Sequence, residues 1–379
     1  MAKQAYVYSG TDWVPLASEV TNLSGYQTKA LNQFANRNLV INGAMQVAQR
    51  GTSTAGITTE GYYTSDRMLF NVLTQGTWTQ SVENDGPTGS GFVKSLKMLC
   101  TTADASPAAG DTLTLIHRIE GQNLQSIKKG TSAAEQLTVS FWVKSNVTGT
   151  YIVELGDADN TRQVSKSYTI NASATWEKKT ITFPADTTGA FDNDNGSSLS
   201  LLLWLGAGSD RTSGTLNSSS WNTTTNANRV VGQVNLAAAT NNYWQVTGIQ
   251  LEVGDTATPF EFKPYAQDLL ECMRYLQVWK DDNKSLYSGH YWSTTESAGT
   301  LPLKIQMRSA PTLTASSGGA IKTYTGVGQA QRISSSINTD AASDMSIDIF
   351  AITSSTTAGN ATFNRVYGAG AYLWLVSEL

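Results

Sequence analysis

Hydrophobic and polar residues alternate along most of the chain, in short runs separated by turn-rich segments. Between residues 38 and 262 about eleven such runs follow one another. They include LTLIHRIEG, QLTVSFWVKS, GTYIVELGD and YWQVTGIQLEVG. Alternation with a period of two is typical of strands with one buried face, and no helical pattern interrupts the series. Such strands bury their apolar faces only against a second sheet, so the pattern predicts a closed two-sheet sandwich, with a jelly roll as the best fit.

A helical pattern follows the last of these strands, in AQDLLECMRYLQVW. Its apolar residues fall on one side at spacings of three and four, namely Leu269, Leu270, Met273, Leu276 and Trp279. Pro264 stands just before them, where a missing amide is tolerated. The spacing predicts a helix over 265–280. Beyond it, runs such as LPLKIQM and MSIDIFAIT return to strand patterns, and roughly 100 residues are enough for a second, smaller sandwich.

The first residues differ from the rest of the chain. The run AYVYSGTDWVPLA has the pattern of a short hairpin with the polar turn SGTD. From Val20 to Phe34 apolar residues fall near helical spacing, although Gly25 interrupts them. This apolar stripe is too narrow to bury itself in a lone chain, so the segment needs a partner. Self-association around an axis and packing on the chain's own body both satisfy the pattern.

These patterns together predict an all-β fold with four parts. The parts are an N-terminal segment over 1–37, a jelly-roll β-sandwich over 38–264, a short linking α-helix over 265–280 and a smaller C-terminal β-sandwich over 281–379. The composition favours the same fold, because only 15% of the 379 residues are charged, 32 are glycine, and Ser and Thr are abundant. Such a composition is typical of short strands joined by polar turns.

Charge and hydropathy exclude several classes of partner. The formal net charge is -4 and no block of Lys or Arg interrupts the chain, so we expect no nucleic-acid partner. The longest apolar run, LSLLLWLGAG, is about half a membrane span, and we expect no membrane insertion. The start, MAKQAYVYSGTDWV, lacks the apolar core of a secretory signal, so we expect no export by that route. We expect Cys100 and Cys272 to be reduced thiols, with a disulfide between them as the alternative.

Five segments stand in a distinctive order along the chain. They are NLVINGAMQVAQRGTS, YYTSDRM, SFWVKSNVTGTYIVEL, TWEKKTITFPADTTGAF and TGIQLEVGDTATPFEFKPYAQDLLECMRYLQ. Their order and spacing resemble the landmarks of a family of bacteriophage tail-fibre and related virion fibre proteins, over most of the chain. The resemblance implies a middle block like the jelly rolls of carbohydrate-binding modules and a variable distal domain after the helix. It also implies assembly as a homotrimer and attachment to other virion tail or baseplate proteins through residues 1–37.

The resemblance implies a virion tail fibre, made in the cytoplasm of the host bacterium, that binds a host surface glycan without cleaving it. The chain has two histidines and no zinc, Walker or nucleophile-elbow motif, so we assign no catalytic residues. A glycan depolymerase tailspike stays open as an alternative, because glycoside hydrolysis needs only two carboxylates at the right separation. Four carboxylates fall at strand ends or turns, namely Glu120, Glu154, Asp157 and Asp159. A purely structural fibre of the head or baseplate is a further alternative.

Sugar recognition usually combines a flat aromatic ring with planar polar side chains. The run LYSGHYWSTTE gathers aromatic residues at an expected strand end, and a long polar loop surrounds Trp221. We expect glycan contacts from these two places, through Tyr287, His290, Tyr291, Trp292, Trp221 and Asn222. Trp142 and Trp204 lie in apolar strands, and we expect them in the core.

Two acidic loops carry oxygen ligands of the kind that calcium prefers. The loop GDADN provides Asp157 and Asp159, and the loop FDNDNG provides Asp192 and Asp194. The resemblance to carbohydrate-binding jelly rolls implies one structural calcium, although the bidentate Glu of an EF-hand loop is missing. We nevertheless expect a pair of ordinary Asp/Asn turns and no cofactor, with a structural calcium as the alternative.

The stretch VTGIQLEVGDTATPFEFKPY marks the end of the predicted jelly roll. Ile249, Leu251 and Val253 alternate on what we expect to be the core face of the last strand. Glu252 lies on the opposite face with Gln250. We therefore expect Glu252 to be solvated or salt-bridged on an outer sheet surface, with Arg50 or Arg67 as its partner.

Overall fold

The computed structural model describes residues 6–8, 13–15, 36–280, 285–325, 331–354 and 356–379. Near the N-terminus, β1 (Tyr6–Tyr8) and β2 (Trp13–Pro15) pair antiparallel, which confirms the two strands of the predicted hairpin. The predicted helical segment over 20–34 lies outside the described residues.

An all-β fold is confirmed, and its first large block contains thirteen strands within residues 36–264. The elements of this block are β3 (Ser53–Ile57), β4 (Gly61–Tyr62), β5 (Leu69–Leu73), β6 (Thr77–Glu83), β7 (Ser95–Thr102), β8 (Thr112–Glu120), β9 (Leu137–Ser145), β10 (Gly149–Asp157), β11 (Arg162–Ile170), β12 (Glu177–Phe183), β13 (Ser197–Ala207), α1 (Ser209–Thr212), β14 (Asn222–Thr223) and β15 (Tyr243–Val253). Two antiparallel sheets result, in the orders β14-β11-β10-β13-β8-β5-β4 and β12-β9-β15-β7-β6-β3.

The main core fills the space between these two sheets. Alternate residues of each strand point into it, such as Leu113 and Leu115 of β8 and Val139 of β9. The seven-stranded sheet is also covered on part of its outer face, where Ile116 and Trp204 pack with Val230 of the segment after α1. This second layer explains why β8 is buried along both faces. Trp204 is therefore in the interior as expected, whereas Trp142 is only half-buried.

Strand β15 changes its inward face at Gly248. Val246 points into the core before this residue and Ile249 and Leu251 do so after it, so one extra residue separates the two inward series. The pairing of β15 with β9 is irregular at the same place, and Gly248 has a φ of 63°. A bulge with glycine in the left-handed region is the usual way to insert one residue into a strand. The predicted inward alternation of Ile249 and Leu251 is confirmed.

The prediction for Glu252 is wrong, because its side chain is buried. The segment 255–261 folds over this face of β15, and Glu252 is only 1% exposed. Its carboxylate accepts hydrogen bonds from the Gln250 Nε2 at 2.9 Å, the Thr258 main-chain nitrogen at 2.9 Å and the Thr258 Oγ1 at 2.6 Å. Glu252 therefore holds the segment after β15 against the sandwich by hydrogen bonds. Neither Arg50 nor Arg67, the two expected partners, contacts it.

The second block begins with α2 and continues as strands. Its elements are α2 (Tyr265–Met273), β16 (Leu276–Lys280), β17 (Ser285–Tyr291), β18 (Glu296–Pro302), β19 (Thr312–Ala315), β20 (Ile321–Thr325), β21 (Gln331–Ile333), β22 (Ser336–Ala342), β23 (Ser346–Ile352), β24 (Ala361–Val366) and β25 (Tyr372–Val376). The predicted helix over 265–280 is thus wrong in its second half. Leu276 and Trp279 belong to β16, which pairs with β25, so tertiary pairing overrides the helical spacing there.

Two further sheets form a smaller sandwich, in the orders β16-β25-β19 and β21-β20-β24-β17-β18-β23-β22. Both contribute to one apolar cluster, with Leu373 and Leu375 from the first and Ile321 and Ile349 from the second. The smaller C-terminal sandwich is therefore confirmed.

Buried ion pairs join the two sandwiches. Arg274, just after α2, donates to both carboxylate oxygens of Glu120 in β8, at 2.7 Å each. Arg67 and Arg50 both pair with Glu378 instead of Glu252. The two sandwiches therefore contact each other through ion pairs, and not only through the segment of chain that links them.

Two further findings concern the cysteines and the helices. Cys100 and Cys272 are free and buried, which confirms the expectation of reduced thiols. No helix in the described part of the chain is long and apolar enough to cross a membrane.

Candidate functional site

The hairpin of β17 and β18 carries the four aromatic residues predicted to contact a glycan in the C-terminal block. Tyr287 and Tyr291 are buried, 5% and 1% exposed. Tyr287 packs in the apolar cluster of this sandwich, and the Tyr291 hydroxyl lies 3.2 Å from the Thr353 Oγ1. The glycan-binding prediction is corrected for these two tyrosines, because rings that face the interior offer no surface to a ligand.

His290 and Trp292 point the other way. His290 is exposed, and Trp292 is 68% exposed just beyond the end of β17. Their ring centroids are 6.2 Å apart. Two main-chain hydrogen bonds hold the turn that carries Trp292. The Trp292 nitrogen donates to the Glu296 oxygen at 2.8 Å, and the Thr356 nitrogen donates to the Thr294 oxygen at 2.7 Å.

Further aromatic rings lie on the same sheet, in β20 and β24. Tyr324 is the register partner of Phe363, and the two rings stack with centroids 4.7 Å apart and planes 4° apart. Both rings are half-buried and on the outward face, and Tyr367 follows on that face, 38% exposed. The next strand, β17, places Ser288 opposite Phe363. We call this surface the aromatic face, defined by His290, Trp292, Tyr324, Phe363 and Tyr367.

The inward side of the same strands is polar next to this pair, although Ile321 and Val366 on that side are apolar. Thr323 and Asn364 are fully buried beside the aromatic pair, and the Thr323 Oγ1 donates to the Asn364 Oδ1 at 2.6 Å. Ser297 of β18 donates to the same oxygen at 3.2 Å. The usual arrangement is thus reversed here, with aromatic residues outward and polar residues inward. The period-two alternation in IKTYT and ATFNRV correctly separates the residues of each strand into two faces. It does not tell which of the two faces is exposed.

Cations border the aromatic face. The Lys322 Nζ lies 3.9 Å from the centroid of the Tyr367 ring and 5.9 Å from that of Tyr324. The Arg365 guanidinium carbon lies 5.1 Å from the Tyr324 centroid. Contacts of this kind hold rings and cations in fixed relative positions. The aromatic face is therefore an ordered surface of flat rings edged with hydrogen-bond donors.

In the other predicted cluster, around Trp221, the structure buries Trp221 and exposes Asn222. Trp221 is buried, its Nε1 donates to the Pro184 oxygen at 2.8 Å, and the Lys129 Nζ lies 5.6 Å from its ring. A ring held in this way supports the loop and does not face a ligand, so the glycan-binding prediction is corrected for Trp221. Asn222 is exposed and lines a pocket of about 390 Å³ beside β14, together with Gln163.

The carboxylates considered for hydrolysis are held by cations. Glu154 accepts from the Arg229 Nη2 at 2.8 Å and from the Trp204 Nε1 at 2.9 Å. Burial alone would raise the pKa of Glu120, but hydrogen bonds from Arg274 and Tyr275 outweigh it and hold the pKa below its usual value. A general acid of a glycosidase needs a raised pKa, so this environment does not suit that role.

The acidic loops are likewise occupied by protein groups. Lys129 pairs with Asp157 at 2.6 Å, and the Asp159 Oδ2 accepts from the Asp192 nitrogen at 2.9 Å. Asp194 accepts from the Gly196 nitrogen at 2.8 Å, as in an ordinary Asx turn. The described residues contain no group of three or more His, Cys, Asp or Glu side chains that could hold a metal ion. The Lys129 ammonium group occupies the place that a calcium ion would take at Asp157.

Comparisons with known proteins give only weak likenesses. No protein-family model and no curated protein matches the chain.

Among solved structures, the enzymatically active domain of bacteriophage CBA120 tailspike protein 4 is similar with a TM-score of 0.30 and 12% identity, over 57% of this chain and 21% of that one. The xylan-binding CBM22-1 domain of Paenibacillus barcinonensis Xyn10C is similar with a TM-score of 0.25 and 14% identity, over 56% of this chain and 100% of that one. A family 11 carbohydrate-binding module of Clostridium thermocellum gives a TM-score of 0.27 and 11% identity, over 55% of this chain and 98% of that one. The chain thus spans about a fifth of the tailspike structure, and likenesses of this size carry no argument about function.

Proposed function

We propose that this protein is a virion tail fibre that binds a host surface glycan without cleaving it, through the aromatic face. One observation carries the proposal. On β20 and β24 the aromatic Tyr324 and Phe363 face outward while Thr323 and Asn364 are buried. Aromatic rings gathered on an exposed sheet face are typical of interaction surfaces, because a monomeric protein rarely exposes such a patch without a use for it.

Flat rings at a sheet surface suit sugars, whose ring faces carry C–H groups that pack on an aromatic surface. Neighbouring strands are about 4.8 Å apart, which matches the separation of the stacked Tyr324 and Phe363 rings on β20 and β24. His290 lies on the same face in the next strand, β17, opposite Ala361, and Trp292 follows it just beyond the strand end. Lys322 at its border provides hydrogen bonds for hydroxyl or acidic groups of a glycan.

Binding without cleavage is supported by the state of the carboxylates. Glu120, Glu154 and Asp157 each form an ion pair with an arginine or a lysine. A hydrolase needs one carboxylic acid that gives up a proton and a second carboxylate that is free to act. These three groups are fixed as structural ion pairs, which favours the fibre over the depolymerase.

Assembly and placement in the virion are part of the proposal. The resemblance in sequence supports a homotrimer attached to other tail or baseplate proteins through residues 1–37. It also supports synthesis in the bacterial cytoplasm. The aromatic face lies in the C-terminal sandwich, distal to that attachment along the chain.

The test is binding of the purified protein to an array of bacterial surface glycans. Trp292→Ala and Tyr324→Ala should each lower the affinity for a bound glycan at least about tenfold, a change of about 1.4 kcal/mol. The matched control is Tyr265→Ala, which removes an aromatic residue that is 57% exposed on α2, outside the aromatic face. The control should bind like the unaltered protein.

Equal binding by Trp292→Ala, Tyr324→Ala and the control would overturn the proposal. Melting temperatures of all three variants show whether a loss of binding reflects a loss of folding. Trp292→Ala is the decisive variant, because a side chain 68% exposed contributes little to the core.

A further inference from the structure

We propose a second ligand site in the jelly-roll sandwich, an amide pocket that binds a neutral sugar unit through hydrogen bonds. It is separate from the aromatic face, which lies in the other sandwich. The amide pocket has a volume of about 390 Å³. Its lining consists of Gln163, Thr215, Leu216, Asn217, Asn222, Thr223, Thr225 and Asn228.

The amide pocket carries hydrogen-bonding groups and no charge. None of its lining residues is acidic or basic, and four of them have amide side chains. A volume of this size is in the usual range for small-molecule sites. An uncharged lining rich in amides and hydroxyls favours a neutral ligand with several hydroxyl groups, because buried or half-buried ions would be left without a counter-charge.

Gln163 provides the observation that points to a ligand. Its side chain is 1% exposed in all, and its Nε2 is buried with no hydrogen-bond partner in the described part of the chain. Its Oε1 accepts from the Ser165 Oγ at 3.1 Å. Exchanging the amide oxygen and nitrogen would leave the oxygen without a partner instead, so one polar atom is unsatisfied under either assignment. A buried amide atom of this kind is costly unless something binds to it.

Residues next to Gln163 supply further groups, since Asn222 of β14 is its register partner. The Asn222 Nδ2 donates to the Asn217 Oδ1 at 2.6 Å, which leaves the Asn222 Oδ1 as an acceptor. The Asn228 Oδ1 accepts from the Thr215 nitrogen at 3.0 Å, which leaves the Asn228 Nδ2 as a donor. A sugar hydroxyl both donates and accepts, so neighbouring hydroxyls satisfy the Gln163 and Asn228 donors and the Asn222 acceptor. Leu216 provides an apolar patch for the C–H groups of the sugar ring.

The walls are held in place before any ligand arrives. The Asn217 Nδ2 donates to the Gln163 main-chain oxygen at 2.8 Å. The Asn217 nitrogen donates to the Asn228 oxygen, and the Ser165 nitrogen donates to the Asn217 oxygen, at 2.9 and 2.8 Å. A site fixed in this way loses little conformational entropy on binding.

The test uses the full chain and a panel of neutral saccharides as probes, namely hexoses, deoxyhexoses, N-acetylhexosamines and their disaccharides. Saturation-transfer NMR detects binding at millimolar concentration, and titration gives the dissociation constant. We expect at least one probe to bind, and Gln163→Leu to raise its dissociation constant at least about fivefold. Gln267→Leu, the same change on the half-exposed helix α2, is the control and should leave binding unchanged.

The stability of the Gln163→Leu variant separates a ligand site from a structural water site. If the amide serves a ligand, leucine removes an unsatisfied group and the melting temperature stays the same or rises. A lower melting temperature with no loss of probe binding would overturn the proposal, and so would a panel in which no probe binds. Trp292→Ala should bind the probe normally, so failure of the aromatic face and failure of the amide pocket are distinguishable.

Discussion

Arg67, at the end of the segment before β5, forms an ion pair with Glu378, which lies 311 residues further along the chain. The Arg67 side chain is completely buried, its Nη2 donates to the Arg118 oxygen at 2.7 Å, and its guanidinium carbon lies 3.5 Å from the centroid of the Tyr275 ring. Burial opposes the charge, but Glu378, Tyr62 and Tyr275 together outweigh it and hold the pKa of Arg67 above its usual value. The buried charge of Arg67, in the first sandwich, is therefore balanced by Glu378, which follows the last strand of the second.

Removing Glu378, the partner of Arg67, should destabilise the contact between the two sandwiches. Glu378→Gln leaves Arg67 as an uncompensated buried charge, and we expect a loss of about 3 to 5 kcal/mol in the free energy of unfolding, measured by chemical denaturation. The matched control is Glu135→Gln, which breaks an ion pair with Lys128 whose side chains are 41% and 53% exposed. The control should cost less than about 1 kcal/mol. Equal losses in the two variants would show that the buried ion pair contributes no more to the free energy of unfolding than the exposed one.

Asp66, next to Arg67, should make the stability depend on pH. Burial raises the pKa of Asp66 to about 6, against hydrogen bonds from Gln49 that lower it. Because the carboxyl ionises less readily in the folded state, its contribution favours folding below about pH 4 and is lost as the pH rises through 6. Relative to Asp66→Asn, the protein should lose about 2.4 kcal/mol of unfolding free energy between pH 4 and pH 7. A difference between the two proteins that stays constant over this range would contradict burial as the cause.

The bulge in β15 gives a test of the jelly-roll packing. An alanine at Gly248 would keep a φ of 63°, and its Cβ would lie 2.5 Å from the Phe92 ring. We expect Gly248→Ala to lower the unfolding free energy by about 2 to 4 kcal/mol, from backbone strain and overpacking together. Gly232→Ala is the control, because Gly232 has a φ of 88° with nothing within 4 Å of its added Cβ. If the two variants lost the same amount, the contact with Phe92 would have no effect.

The mass of the soluble protein tests the proposed assembly. One chain has a mass of 40.7 kDa, so light scattering should give about 122 kDa for a trimer, three times that value. The measurement is made at several concentrations, since a weak trimer dissociates on dilution. A mass near that of one chain at every concentration would contradict assembly in solution.

Much of the fold follows from the sequence because period-two alternation is a local signal. The strands around Leu113, Val139 and Leu251 bury the residues that the alternation selects. The prediction was wrong where distant pairing decides the structure, as at Leu276 and Trp279, which have helical spacing but pair with β25. It was also wrong for Glu252, because burial by the segment 255–261 is not visible in the local pattern.

The candidate site was less predictable than the fold. Sequence identified Trp292 and His290, but a cluster of aromatic residues in a strand alternates between two faces, and Tyr287 and Tyr291 fall on the inner one. Tyr324 and Phe363 were missed because they come together only through the pairing of β20 with β24. Their inner neighbours Thr323 and Asn364 are polar, so the ordinary rule would assign the faces the wrong way round.

The central claim is that the protein binds a glycan and does not cut it. The most direct measurement is size-exclusion chromatography of a surface polysaccharide from a host strain, before and after incubation with the protein, recording both the elution of protein and the length of the polysaccharide. We predict that the protein elutes with the polysaccharide, that Trp292→Ala elutes alone, and that the chain length stays constant. Shortened polysaccharide, or equal co-elution of the Trp292→Ala variant, would contradict the account.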